Sequence, residues 1–124
     1  MAVPILKQGD ILIATIQAAL SDADLLALRD DLVNRVGRFR SRGVIVDVTV
    51  LDVMDSFAVR TLRGIAHMTK LRGAETVVVG IQPDVAFAMV ELGLTLEGME
   101  AALDLEEGLL LLQRRMSGGS ERDR

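Results

Sequence analysis

The stretch Val44-Ile-Val-Asp-Val-Thr-Val-Leu-Asp-Val-Met-Asp-Ser-Phe57 decides the fold. Its first five residues form a mostly apolar run, which is typical of a strand that is covered on both faces. The acids Asp52 and Asp55 then mark a loop, and Ser56 stands where a new helix must begin. A short polar side chain at this point can accept a hydrogen bond from the free N–H groups of a first helical turn. We therefore predict a buried strand, an acidic loop and a helix that begins at Ser56.

A helix over 56–71 has a wide apolar side when its residues are placed at intervals of 100°. Its narrow polar side carries the basic residues of the segment: Arg60, Arg63, His67 and Lys70. One edge of the apolar side holds Phe57, Gly64 and Met68. A deeply seated helix is the more common reason for such width, because an apolar stripe usually faces the core. The other interpretation is that Phe57 and Met68 border a surface that meets another protein.

Length and composition indicate one globular domain. A chain of 124 residues, half of them apolar, is long enough for one core. The net charge of −4 and the aromatic content of 2% argue against nucleic acid as a main partner. Because the chain has no cysteine, disulfides and thiol chemistry are excluded, which fits a reducing cytosol. We find no signal peptide and no apolar run of the roughly 18–20 residues that a membrane span needs.

The rest of the chain alternates strand and helix patterns. Two apolar runs around Gly9-Asp10 predict an antiparallel hairpin, and Ser21-Asp-Ala-Asp24 predicts a helix cap. A buried strand, a helix and another buried strand in succession form a βαβ unit. In order, we predict strands at 3–7 and 11–16, a helix that stops at Gly43, a strand at 44–48, a helix at 56–71, a strand at 76–79, a helix from Pro83 to Gly93, a short edge strand at 101–103 and a helix at 104–116.

These elements predict an α/β fold, with a mixed sheet of four or five strands packed with four helices. We expect a single domain over 1–116 and a polar, mobile tail over 117–124. The apolar face of the first long helix is expected to hold Leu25, Leu28, Leu32, Val36 and Phe39. That of the third is expected to hold Val85, Ala86, Met89 and Val90, with Phe87 at its margin.

The chain lacks the residue sets of common enzymes. Neither G-x-x-x-x-G-K-[ST] nor G-x-G-x-x-G occurs, so no nucleotide-binding loop is indicated. The single histidine, His67, lies among cations on the polar side of its helix, which suits a solvated residue better than a base or a metal ligand. We therefore expect no enzymatic activity and no cofactor.

Three carboxylates follow the central strand: Asp47, Asp52 and Asp55. They lie at the carboxyl end of that strand, where open α/β sheets bind ligands, and such a group could hold Mg²⁺. Asp47 could then accept phosphate as a response-regulator receiver does. A receiver also needs a carboxylate pair at the end of its first strand, where this chain has Ala14 and Thr15. A plain loop with solvated acids is the simpler interpretation, and we expect no metal site.

Ser56 is the other candidate. A serine at a helix start is most often only a cap. Here it also lies at the ligand edge of the sheet, beside acids and next to Phe57. A phosphoryl group would be tolerated by the helix N–H groups and would add about −1.5 to −2 charges at pH 7. A partner docked over this position would meet a changed surface, while the helix would survive.

Several runs of the chain are typical of one known family, beginning with Gly43-Val-Ile-Val-Asp-Val-Thr, Asp55-Ser-Phe and Lys70-Leu-Arg-Gly-Ala74. In these runs the chain resembles the STAS domain family of sulfate transporters and anti-sigma factor antagonists. Three later runs narrow the likeness to stressosome members of the RsbS type: Gly80-Ile-Gln-Pro-Asp-Val-Ala86, Glu91-Leu-Gly-Leu-Thr-Leu96 and Ala102-Leu-Asp-Leu-Glu-Glu-Gly108. It extends from Pro4-Ile-Leu-Lys7 to the final helix.

The resemblance implies a SpoIIAA-like fold and a cytoplasmic scaffold that regulates a sigma factor in the general stress response. Its implied partners are RsbR-type paralogues, an RsbT-type serine kinase, a resetting phosphatase of the PP2C type and further copies of the chain. In that family the serine of the Asp-Ser pair is the phosphoacceptor, which maps onto Ser56, and its modification releases the kinase. We expect partner contacts at Asp55, Ser56, Phe57, Arg60 and Met68. The threonine sites of RsbR-type proteins are not transferred to Thr95.

Two alternatives stay open. The first is a SpoIIAA-like antagonist that binds an anti-sigma kinase as a small unit. The second is a Mg²⁺-dependent phosphotransfer domain that uses Asp47. The size of the assembled particle distinguishes the first alternative from a scaffold, because only a scaffold forms very large particles. The acid stability of the phosphate distinguishes the second, because phosphoserine is stable in acid and an acyl phosphate is not.

Overall fold

The computed structural model of the chain describes residues 2–122, which form five strands and four helices. In order these are β1 (Ile5–Gln8), β2 (Ile11–Thr15), α1 (Asp22–Phe39), β3 (Gly43–Asp47), α2 (Ser56–Leu71), β4 (Glu75–Val79), α3 (Pro83–Glu91), β5 (Glu100–Ala102) and α4 (Leu105–Arg122). Within this range no helix is both long and apolar enough to cross a membrane.

The strands form one mixed sheet in the order β1-β2-β3-β4-β5. β1 and β2 pair antiparallel across a turn at Gly9, where φ is +59°, and the later pairs are parallel. The register places Thr15 beside Asp47 and Asp47 beside Val79. The predicted hairpin, βαβ unit and edge strand are therefore confirmed. The loop from β3 to α2 leaves from the edge where the four parallel strands β2 to β5 end.

β3 is covered on both faces, as its apolar run predicts. Val44 and Val46 face a core shared with α1, α2 and α3, whereas Ile45 faces a second core shared with α4. All three side chains are fully buried. Three helices thus cover one side of the sheet and α4 covers the other, so the exposed sides of the helices form much of the surface.

α4 approaches the sheet closely because two glycines make room for it. Leu112 is fully buried, and a Cβ at Gly43 would lie 2.9 Å from its Cδ1. A Cβ at Gly108 would lie 2.7 Å from Cγ1 of Val79. Real Cβ atoms do not approach so closely, so larger residues at either position would push the helix away from the strands.

The first helix ends earlier than predicted. α1 stops at Phe39, and Arg40 follows with a left-handed φ of 53° while its N–H donates to Val36 O. Gly43 is the first residue of β3 rather than the helix terminator. Phe39 is also wrongly placed in the core: it is 38% exposed, and the Arg38 guanidinium lies 4.9 Å from its ring centre. Lys7 Nζ of β1 lies 5.9 Å from the same ring centre, so the neighbours of the ring are cations rather than core side chains.

The predicted apolar face of α3 is wrong in part. Val85 and Met89 are buried, but Ala86, Phe87 and Val90 are exposed. α3 has only nine residues and packs against one core, so only a narrow stripe of the helix is buried. Val85 and Met89, which are four residues apart, already occupy that stripe. The remaining apolar side chains therefore lie on the surface.

α4 is longer than predicted. It continues to Arg122, through residues that the sequence analysis assigns to a tail at 117–124. The glycines at 118 and 119 each lower helix propensity by about 1 kcal/mol without forbidding a helix. Residues 123 and 124 lie outside the described part of the chain.

Candidate functional site

The loop between β3 and α2 is anchored by its own side chains. Leu51 and Met54 are buried in the core, while Val53 between them is exposed. Burial of each such side chain favours the folded loop by about 1.5–3 kcal/mol. Gln82 Nε2 donates to Thr49 O at 2.7 Å, which ties the loop to the start of α3. The start of α2 therefore has a defined position at the edge of the sheet.

Asp55, and not Ser56, caps α2. Its backbone is extended, with φ −81° and ψ 177°, and its Oδ1 accepts the Ala58 N–H at 2.8 Å. Ser56 is the first helical residue and is exposed, and its hydroxyl has no hydrogen-bond partner among residues 2–122. The common structural role of a serine at this place is thus filled by its neighbour. The interpretation of Ser56 as the cap is wrong, and its hydroxyl faces solvent uncommitted.

The residues predicted to meet partners all reach the surface of α2 or its start. Arg60 follows Ser56 by four residues, so both lie on one exposed stripe of the helix. Phe57 is half-buried beside this stripe. Met68, about two turns after Arg60, is 40% exposed. These positions give one continuous strip with a polar and an apolar edge. Their binding role stays a prediction.

The three acids of the loop do not converge on a metal site. Asp47 Oδ1 accepts the Thr49 N–H at 3.0 Å and the Thr49 hydroxyl at 2.5 Å. Asp55 is engaged in the cap, and Asp52 is exposed. Across residues 2–122, no group of three or more His, Cys, Asp or Glu side chains is placed to hold a metal ion. Asp47 and Asp55 instead stabilise the local backbone.

A shallow cleft lies beside the cap, between the start of α1 and the loop before α2. Its volume is about 180 Å³. The lining is mainly apolar with two acids: Ala19, Leu20, Asp22, Leu25, Leu51, Val53, Asp55 and Ala58. A protein that covers Ser56 would also reach this cleft, because Asp55, the residue before Ser56, lines it.

Two contacts of α2 have no counterpart in the sequence analysis. Arg63 Nη1 donates to Thr95 O at 3.4 Å, and a Cβ at Gly98 would lie 2.6 Å from the His67 ring. The segment after α3 therefore runs along the polar side of α2. The sequence signal for these contacts was weak. It was the glycine at 98, which has a φ of +82° in the structure, and a glycine in a loop does not indicate which residues it contacts. Thr95 lies on this segment, away from the first turn that carries Ser56.

A family model described as the STAS domain matches residues 2–107. The chain belongs to the STAS domain family. The expected fold is thereby confirmed, with its mixed sheet and four helices.

Two solved structures resemble this STAS domain over most of their length. A serine-to-glutamate variant of RsbS from Moorella thermoacetica is 33% identical, with a TM-score of 0.80, 93% of this chain covered and 97% of that chain. A structure described as the molecular architecture of the stressosome, a signal integration and transduction hub, is 34% identical, with a TM-score of 0.77 and coverage of 91% and 98%. The resemblance to stressosome proteins of the RsbS type is thus confirmed.

More distant relatives match in fold or in part. SpoIIAA in its unphosphorylated form is 14% identical with a TM-score of 0.67, covering 90% of this chain and 97% of that one, a likeness of fold alone. The RsbT co-antagonist protein RsbRA of Bacillus subtilis is 28% identical over 82 residues, which are 66% of this chain. The match spans only 30% of the length of RsbRA.

Proposed function

We propose that this STAS domain is a non-enzymatic scaffold subunit that holds a switch serine kinase of the RsbT type and releases it when Ser56 is phosphorylated. One observation carries the proposal: Asp55 provides the helix cap, so the exposed Ser56 hydroxyl has no structural duty. The likeness to RsbS and to a stressosome structure supports the same function. The role that we propose is the regulation of a sigma factor during the general stress response, in the cytoplasm.

The release step follows from charge. Phosphorylation adds about −1.5 to −2 charges at pH 7 to the first turn of α2. The N-terminus of a helix favours negative charge, so α2 stays folded. A kinase seated over Asp55, Ser56 and Phe57 instead meets a bulky group with about −1.5 to −2 charges on a surface that is already acidic. The affinity of the kinase for this chain falls, whereas the scaffold keeps its structure. A PP2C-type phosphatase then removes the phosphate and restores the form that binds the kinase.

Mass spectrometry after incubation with the kinase and ATP tests the phosphoacceptor. We expect one acid-stable phosphate on Ser56, none in Ser56→Ala and an unchanged yield in the control Thr95→Ala. Ser56→Ala should still bind the kinase but not release it with ATP, whereas Ser56→Asp should bind it at least tenfold more weakly. Phosphate on another residue, or an acid-labile phosphate on Asp47, would reject the assignment.

Particle size tests the scaffold. Mixed with an RsbR-type paralogue, the chain should elute from a size-exclusion column as a large co-assembly, and Ser56→Ala should do the same. The alternative is a SpoIIAA-like antagonist that acts as a small unit. Elution of the mixture as separate small species would favour that alternative.

A further inference from the structure

Gly64 is a mid-helix glycine that the fold itself does not explain. It lies at the ninth of the 16 positions of α2, where glycine is less favourable than alanine by about 1 kcal/mol. A Cβ built on Gly64 meets nothing within 4 Å, and its φ is not positive. Gly43 and Gly108, by contrast, each have a neighbour within 3 Å of the added atom. The missing side chain at Gly64 leaves a bare spot on the outside of the helix.

The surroundings of this spot are both apolar and basic. Met68, one turn further on, is 40% exposed, and Leu71, two turns further on, is 89% exposed. Arg60 precedes Gly64 by one turn, and its side chain is exposed. It has no ion-pair partner among residues 2–122. We call Arg60, Gly64, Met68 and Leu71 the α2 face. Lys70 does not belong to it, because it lies about 160° from Met68 around the helix.

α3 carries a surface of the opposite kind. Phe87 is 69% exposed and Val90 is 79% exposed, so large apolar side chains project from the helix. Asp84 precedes Phe87 by three residues and Glu91 follows it by four, so both exposed acids share its side of the helix. The two carboxylates are seven residues apart, or about 10.5 Å along the axis. We call Asp84, Phe87, Val90 and Glu91 the α3 face.

We propose that the α3 face of one copy of this chain docks on the α2 face of a second copy. Phe87 would fill the bare spot at Gly64 and pack against Met68, while Asp84 or Glu91 would meet Arg60. A protruding ring matches a position without a side chain, and the charges are of opposite sign. This deepens the self-association included in the proposed function by naming its surfaces and does not depend on phosphorylation.

The contact is head-to-tail, because the two surfaces differ. In a pair, one copy keeps its α2 face unused and the other keeps its α3 face, so assembly continues beyond a dimer into a closed ring or an open chain. Gly64 lies eight residues, or about 12 Å, after Ser56 along α2. The neighbouring copy and a kinase over the first turn therefore occupy successive parts of the helix.

Sedimentation velocity over about 1 µM to 1 mM tests the proposal, since weak protein contacts dissociate in this range. The native chain should grow past a dimer as concentration rises. Gly64→Gln blocks the α2 face and Phe87→Gln removes the projecting ring, so each alone should need at least tenfold more protein to associate. Mixed in equal amounts, the two variants should form a dimer and stop there. Only one intact α2 face and one intact α3 face are then available.

Two exposed positions provide controls. Ala27→Gln on α1 places the same side chain on another helix surface, and Leu103→Gln removes another exposed apolar residue, so both should associate like the native chain. Circular dichroism verifies that every variant is folded. The proposal is overturned if the native chain stays monomeric, if it stops at a dimer, or if the mixed variants do not pair. Phosphate on Ser56 is read in a separate assay, so the outcome there neither supports nor weakens this one.

Discussion

Replacement of Asp55 separates the structural role of the Asp-Ser pair from its proposed signalling role. Asp55→Ala removes the acceptor of the 2.8 Å bond from the Ala58 N–H. Loss of such a cap lowers the free energy of unfolding by about 1 kcal/mol. Loss of a negative charge beside the first turn lowers it by about 0.3–1 kcal/mol more. We therefore expect a total loss of about 1.5 kcal/mol for Asp55→Ala.

Two matched variants separate the contribution of the cap hydrogen bond to this loss of stability from the contribution of the charge. Asp55→Asn keeps a side-chain oxygen that can cap and loses only the charge, so we expect a loss of about 0.5 kcal/mol. Ser56→Ala should leave stability almost unchanged, because the hydroxyl of Ser56 bonds to nothing in the described part of the chain. Alanine is also well tolerated within a helix. The expected order of stability is native and Ser56→Ala together, then Asp55→Asn, then Asp55→Ala.

Urea unfolding followed by circular dichroism measures these differences. With a urea dependence of about 2 kcal/mol per M, a loss of 1.5 kcal/mol moves the midpoint down by about 0.7 M. Thermal melting should move by about 4 °C per kcal/mol for a chain of this length. If Ser56→Ala loses about 1 kcal/mol while Asp55→Ala loses nothing, the serine is the cap. The argument for an uncommitted phosphoacceptor then fails.

Three further predictions concern packing. Gly64→Ala should raise the free energy of unfolding of the monomer, measured at low protein concentration, by about 0.5–1 kcal/mol, because the added methyl meets open space. Gly108→Ala in α4 should lower it by about 1 kcal/mol or more, because its methyl would press on Val79, and equal shifts for the two glycines would contradict this. Leu112→Ala should cost about 2–5 kcal/mol in urea unfolding, since the side chain is fully buried between α4 and the sheet. A loss below 1 kcal/mol would mean that α4 is not firmly packed.

Local patterns were sufficient to predict most of the elements. The apolar run at β3 requires cover on both faces, and the turn at Gly9 leaves the hairpin little choice of geometry. The capping box of Ser21 and Asp24 is formed as its spacing predicts. Each of these features depends on residues that are close together in the chain, so no knowledge of distant contacts was needed.

Burial on α3 and at the end of α1 was predicted less well. Helical periodicity shows which residues share a side of a helix, but not how much of that side the rest of the protein covers. Phe39 and Phe87 both lie at positions that suit a core, and yet both are exposed; the groups over the Phe39 ring are the cations of Lys7 and Arg38. The extent of cover depends on how α1 and α3 sit on the sheet, which is a property of the whole fold.

By itself, the sequence determined the order of strands and helices, the mixed sheet and the helix start at the Asp-Ser pair, because periodicity, turns and caps act over a few residues. Only the tertiary structure decided that Asp55 takes the cap and leaves the Ser56 hydroxyl unbound. It also decided that Gly64 faces open space while Gly108 touches the sheet. The surroundings of the two glycines depend on distances between segments that are far apart in the chain, and such distances exist only once the helices have packed on the sheet. The cap is a local contact, but Asp55 is held in place for it because Leu51 and Met54 anchor the preceding loop in the core.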